Sequence, residues 1–166
     1  MIVLSIIFYI SLTNENECGK IIESFSNSSC EAFDKISPKL FKLGAISMAK
    51  ILPKLINNCF SQGYFPSCLK IAKVTPIFKE GDNEEMGNWR PISIISCIAK
   101  VIEKLVKKRL LSFLNKNKIL SDYQFGYRTQ HSTTHAILNN SDNILNNLQN
   151  KKKTYAFYLF RSFEGF

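Results

Sequence analysis

Residues 71–111 constrain this chain more than any other stretch, because two short apolar runs and one long amphipathic run follow each other around a polar loop. In the first run Ala72, Val74, Pro76 and Phe78 alternate with Lys73, Thr75 and Lys79. A period of two sends successive side chains to opposite faces, the pattern of a half-buried strand. Pro76 has no N–H to give a central ladder, so the strand belongs at a sheet edge or carries a bulge. The second run, Pro91 to Ile95, reads as its partner. Between them Gly81, Asp82, Asn83, Gly87 and Asn88 supply turn residues. The expected product is a β-hairpin with Lys79 and Arg90 near its loop end.

A helix should follow. Ile98, Val101, Ile102, Leu105, Val106, Phe113 and Leu114 fall on one face, while Lys100, Lys104, Lys107, Lys108 and Arg109 crowd the other. Glu103 is spaced to pair with Lys107. Two readings of the polar side stay open. It is a solvated charged face, or a basic strip along a phosphate backbone, where Lys and Arg gain affinity by releasing counterions.

Upstream, Asn14 with Glu17 three residues on makes a helix start, and Cys18, Ile21, Ile22 and Phe25 share a face. Asn27, Ser28 and Ser29 end that helix. A second begins with Ser37 as cap and Pro38 at the first helical position. Its stripe is Leu40, Phe41, Met48, Ile51 and Leu52; Pro53 is expected to break or kink it, and a shorter helix then runs to Gly63. Nothing in residues 1–65 is catalytic in type.

The segment Met1 to Leu12 suits either a first strand or a targeting segment. No Lys or Arg precedes its apolar run and no small-residue cleavage site follows, so the strand or an irregular start is favoured. It is also too short for an ordinary transmembrane helix.

At 166 residues with 45% hydrophobic and 21% charged residues, the chain has the make-up of one globular domain. The net charge of +9 favours a polyanionic partner. Five cysteines without a C-x-x-C pair, an odd number, fit reduced thiols in a cytoplasmic or nuclear protein better than a secreted one. His131 and His135 are four apart, but Ser132 stands where the metalloprotease pattern needs Glu and no third ligand is evident, so zinc is not expected. Ser132 reads instead as the cap of a helix with Ile137, Ile144, Leu145 and Leu148 as apolar contacts.

Several of these residues also form a recognisable series. Phe78 to Asp82 reads Phe-Lys-Glu-Gly-Asp, and Asn88 to Ser93 reads Asn-Trp-Arg-Pro-Ile-Ser. Lys100 to Lys104 is Lys-x-x-Glu-Lys, followed by Arg109-Leu110. Gln124 to Arg128 reads Gln-Phe-Gly-Tyr-Arg, with Ser132-Thr133-Thr134 beyond. In order and spacing this resembles the reverse transcriptase of non-LTR (LINE- and jockey-type) retrotransposons, over roughly residues 8–166.

The resemblance implies an α+β fold: a helical N-terminal part, a fingers β-hairpin with helices, and the start of a right-hand polymerase palm. Its boundaries would be a lead-in over 1–65, fingers over 66–150 and a first palm strand over 151–166. It implies RNA-directed DNA synthesis in the parent protein, with RNA and DNA as template and primer and a deoxynucleotide as substrate. Lys79 and Arg90 would hold the triphosphate, since guanidinium meets phosphate oxygens bidentately. Gln124, Gly126, Tyr127 and Arg128 would face nucleic acid, with aromatics stacking on bases and Gly126 allowing close approach. Read without the resemblance, the stretch Gln124 to Arg128 is equally an aromatic pair, Phe125 and Tyr127, around a turn. Lys104 and Lys108 would extend the basic surface.

The intact family enzyme uses magnesium, held by aspartates on the palm. Anchoring Phe163 on the family's Phe puts Tyr158 at the first metal-binding Asp, and a neutral phenol is no ligand for a hard cation. The family's Tyr-x-Asp-Asp turn is not among these residues, and Glu80, Asp82, Glu84 and Glu85 in a polar loop are expected to be solvated rather than to replace it. The expectation is a catalytically incomplete piece of polymerase. A non-catalytic basic binder of nucleic acid, or a fragment without a role, remain the alternatives.

Overall fold

The structure is a computed structural model that describes residues 8–149. The elements are α1 (Glu15–Glu23), α2 (Pro38–Leu43), α3 (Ala45–Gln62), a 3-10 turn at Ser67–Lys70, β1 (Ala72–Phe78), a second 3-10 turn at Met86–Asn88, β2 (Trp89–Ile95), α4 (Cys97–Lys116) and α5 (Thr133–Gln149). The chain divides into two compact units, Met1–Asn117 and Lys118–Phe166. Helices and one small antiparallel sheet make a mixed architecture.

Local chemistry sets most boundaries. The Asn14 side chain accepts the Glu17 N–H at 2.9 Å and starts α1, as its spacing predicts. Ser37 does the same for Leu40 at 3.2 Å, with Pro38 behind it opening α2. Ser96 caps α4 through Ala99 at 3.1 Å. Gly63 closes α3 at φ 61, a left-handed conformation that a Cβ would disfavour.

The expected break at Pro53 falls elsewhere. The interruption is at Gly44, between α2 and α3, and Pro53 sits buried inside α3. Proline costs a helix one hydrogen bond, and burial against the core offsets that loss. Two residues of the expected stripe, Leu40 and Ile51, are exposed, while their neighbours Phe41 and Leu52 are buried.

The core joins α1, α2, α3 and α4 through Cys18, Ile22, Phe25, Phe41, Leu52, Ile56, Cys97, Val101, Ile102 and Leu105. Phe25 and Phe41 stack with centroids 6.1 Å apart. Burial pushes the Cys18 and Cys97 thiols up from their usual range, which keeps both protonated and inert. Residues 8–14 form no strand, and the rest of the expected first strand lies outside the described residues.

The hairpin forms antiparallel, with Ala72 opposite Ile95 and Phe78 opposite Trp89. Its second strand starts at Trp89, two residues before the expected Pro91. Pro76 lies directly opposite Pro91. The Lys79 N–H donates to the Asn88 carbonyl at 2.8 Å, which sets the phase of the ladder. Pro76 and Pro91 therefore occupy a non-hydrogen-bonded pair, where N–H groups would point outward. Neither proline breaks the ladder, and both remove a donor from the ribbon's outer edges. The half-buried pattern is not what forms: Val74, Ile77, Phe78, Trp89 and Ile92 are all exposed, so among the described residues neither face of the ribbon is covered along most of its length.

Candidate nucleotide and nucleic-acid interface

Register decides which hairpin side chains meet. Lys73, Thr75 and Ile77 pair with Ile94, Ile92 and Arg90, and these pairs share one face. Lys79, one residue past β1, continues the same alternation, so Lys79 and Arg90 are diagonal neighbours on that face. Phe78 and Trp89 occupy the opposite face, packed edge-on at 5.4 Å. Arg90 is exposed, and its side chain makes no hydrogen bond or ion pair with the described residues. Lys79 lies 3.3 Å from Glu80 in an exposed pair, which contributes little and opens at small cost.

The loop between the strands is tightly tied. Asn88 Nδ2 donates to the Asp82 carbonyl at 2.8 Å and lies 3.4 Å from Glu85 Oε2. Trp89 Nε1 donates to the Asn83 carbonyl at 3.0 Å. Asp82 Oδ1 accepts the Glu84 N–H at 3.0 Å. Of the four acidic side chains only Glu84 is left without such a contact, and the described residues hold no group of three or more His, Cys, Asp or Glu able to bind a metal ion. They do not fit a two-ion site.

On α4 three of the basic side chains, Lys104, Lys108 and Arg109, have structural partners. Lys108 Nζ lies 2.8 Å from Glu17 Oε1, and Arg109 Nη2 lies 2.9 Å from Glu17 Oε2. Arg109 also donates to the carbonyls of Ser11, Leu12 and Leu105. Lys104 Nζ donates to Ser24 Oγ at 3.0 Å and sits 4.4 Å above the Phe25 ring. Burial, then the neighbouring Lys100 charge, shifts Lys104 downward. Glu103 makes no ion pair with Lys107. Burial of the Glu17 carboxyl opposes its ionisation, but hydrogen bonds from Lys108, Arg109 and Thr13 and the Arg109 charge outweigh it and hold the group at about 2. Sequence reasoning missed Glu17; the Asn14 start signal marked it only as a first-turn acid.

In the second unit, Gln124 to Arg128 form a loop. The left-handed position is Tyr127, at φ 58, and not Gly126. The Tyr127 ring is fully exposed, whereas Phe125 packs on His131 at 5.7 Å, so the two aromatics do not pair. Arg128 Nη1 donates to the Ser121 carbonyl at 2.8 Å, and the Gln124 N–H reaches the same oxygen at 3.1 Å. Ser132 caps α5 through the His135 N–H at 3.3 Å, as its position predicts. His131 precedes that helix, so the two histidines do not share a helical face. Ile137, Ile144 and Leu145, expected as apolar contacts, are exposed; the Leu148 side chain, Lys151–Lys153 and Tyr158 lie outside the described residues.

In chain order a basic-faced hairpin precedes a long amphipathic helix, and an aromatic-arginine loop follows in the second unit. The family model for reverse transcriptase (RNA-dependent DNA polymerase) matches residues 77–162, and the chain belongs to that family. It is 28% identical over 144 residues to a probable RNA-directed DNA polymerase from transposon BS of Drosophila melanogaster, covering 86% of this chain and 16% of that protein. It is 27% identical over 127 residues to the RNA-directed DNA polymerase from mobile element jockey of the same fly, covering 76% of this chain and 14% of the relative. A polyprotein from the type-1 retrotransposable element R2 of Popillia japonica is 27% identical over 112 residues, 67% of this chain and 15% of its own. The chain thus spans about a sixth of the length of the curated relatives it matches. Among the described residues no helix is long and apolar enough to cross a membrane.

Proposed function

We propose that this chain supplies the fingers of a retrotransposon reverse transcriptase, with Lys79 and Arg90 gripping the triphosphate of an incoming deoxynucleotide. The observation that carries this reading is the shared hairpin face of the two residues, with the Arg90 guanidinium free of partners. Basic groups so held would offset charge that develops during nucleotidyl transfer. Residues 1–65 serve as lead-in, 66–150 as fingers and 151–166 as the first palm strand.

Template RNA and nascent DNA would lie against Gln124, Gly126, Tyr127 and Arg128. A Tyr held at positive φ with its ring in solvent is a strained, exposed stacking platform, which supports this assignment. Lys104 and Lys108 would add phosphate contacts through the donors their present partners leave unused, for an ammonium has three. The intact enzymes of the family use magnesium. Because Tyr158 stands where the family carries a metal-binding Asp, the chain by itself would not polymerise. An intracellular place is supported by five unpaired cysteines.

The test is the affinity of a fluorescent deoxynucleoside triphosphate at rising salt. Arg90→Ala should weaken binding about tenfold, Lys79→Ala about threefold, and salt should weaken the parent chain. Unchanged binding in both variants would remove the proposal. Extension of a primed RNA template by the purified chain with magnesium would refute the statement on Tyr158.

A further inference from the structure

We infer that Asn88 and Trp89 are positioning residues, a latch that fixes the hairpin tip so that Lys79 and Arg90 stand ready on one face; this rests on the nucleotide-gripping reading above. An exposed ribbon lacks the packing that would hold its tip, so the tip's geometry must come from its own hydrogen bonds. The Asn88 carbonyl takes the Lys79 N–H at 2.8 Å, while the Asn88 side chain reaches back to the Asp82 carbonyl at 2.8 Å. One residue thus ties the end of β1 and the start of the loop to the strand that carries Arg90.

Gly81 makes room for it. Its φ is +95, and a Cβ there would lie 2.7 Å from Asn88 Nδ2, so a side chain at 81 is excluded both by backbone conformation and by the amide beside it. Trp89 adds the second tie, from Nε1 to the Asn83 carbonyl at 3.0 Å. Its ring lies with Phe78 on the face opposite Arg90, so the tie leaves the basic face open. Holding the backbone at positions 79 and 90 lowers the ordering cost of closing two long side chains on a triphosphate.

The experiment measures two quantities on the full chain: affinity for a fluorescent deoxyadenosine triphosphate, and amide hydrogen exchange along the chain. Asn88→Ala and Trp89→Phe should each weaken binding about fivefold, the size expected for losing one such hydrogen bond. Asn88→Asp, which keeps the size and loses the donor, should follow Asn88→Ala. Exchange should quicken across residues 72–95 and stay unchanged in α1, α3 and α4. If Asn88→Ala and Trp89→Phe bind like the parent while Arg90→Ala does not, the latch is wrong and the nucleotide reading stands. If Lys79→Ala and Arg90→Ala also bind like the parent, both fall together. Faster exchange in the helices as well would make the two residues general stabilisers and overturn the inference.

Discussion

Arg109 Nη2 lies 2.9 Å from Glu17 Oε2, joining α4 to α1 through residues 92 positions apart. Both carboxylate oxygens are occupied, since Lys108 takes Oε1 and the Thr13 hydroxyl shares Oε2. The Arg109 side chain is only 9% exposed, so its charge depends on this partner. The end of the basic helix α4 is therefore committed to holding α1 and the segment before it. The Arg90 side chain on the hairpin, by contrast, has no hydrogen bond or ion pair with the described residues.

Replacing Glu17 by Gln should destabilise the chain by about 2 kcal/mol, below the range for a fully buried pair because Lys108 reaches solvent. The urea midpoint should fall with an unchanged denaturant slope. An unchanged midpoint would mean that the pair contributes nothing net.

The same carboxyl sets a pH window. Its folded value of about 2 lies below the ordinary carboxylate value of 4.5, so its stabilisation is present above pH 4.5 and is lost as pH falls through 2. After discounting for solvent screening, the loss is on the order of 1–2 kcal/mol. The difference in stability between parent and Glu17→Gln should shrink across that window. A constant difference would show that the carboxyl titrates normally.

Asn57 ties α3 to the start of the chain, accepting the Thr13 N–H at 2.8 Å and donating to the Thr13 carbonyl at 2.9 Å. Asn57→Ala removes both and should cost about 2 kcal/mol. Amide exchange at Thr13 should rise most, ahead of any change in α4.

Leu105 is fully buried among α1, α3 and α4. Leu105→Ala should cost about 3 kcal/mol through lost transfer energy and a residual cavity. Calorimetry on the two proteins measures it, and a loss under about 1 kcal/mol would mean that the core collapses to fill the space.

Much of this was legible because the signals are local. Asn14, Ser37, Ser132 and Gly63 act within one turn of themselves, and the alternation from Ala72 to Phe78 needs only a pleated backbone. The order of motifs from Phe78 to Thr134 was enough to raise the family, which the match over 77–162 establishes. Where proline rules and context competed, at Pro53 against Gly44, the core decided. Apolar faces were over-read as buried on the hairpin and on α5, since periodicity reports amphipathicity and not the presence of something to cover it.

The sequence by itself determined the helix ends at Asn14, Ser37, Gly63 and Ser132 and the existence of the hairpin, because each is written in residues a few positions apart. Only the tertiary structure decided that Glu17 engages Lys108 and Arg109 while Arg90 stays free, since that choice depends on which charges folding brings within a few ångströms. Coulomb energy follows distance and burial, and an unfolded chain holds such far-apart residues neither close together nor out of water.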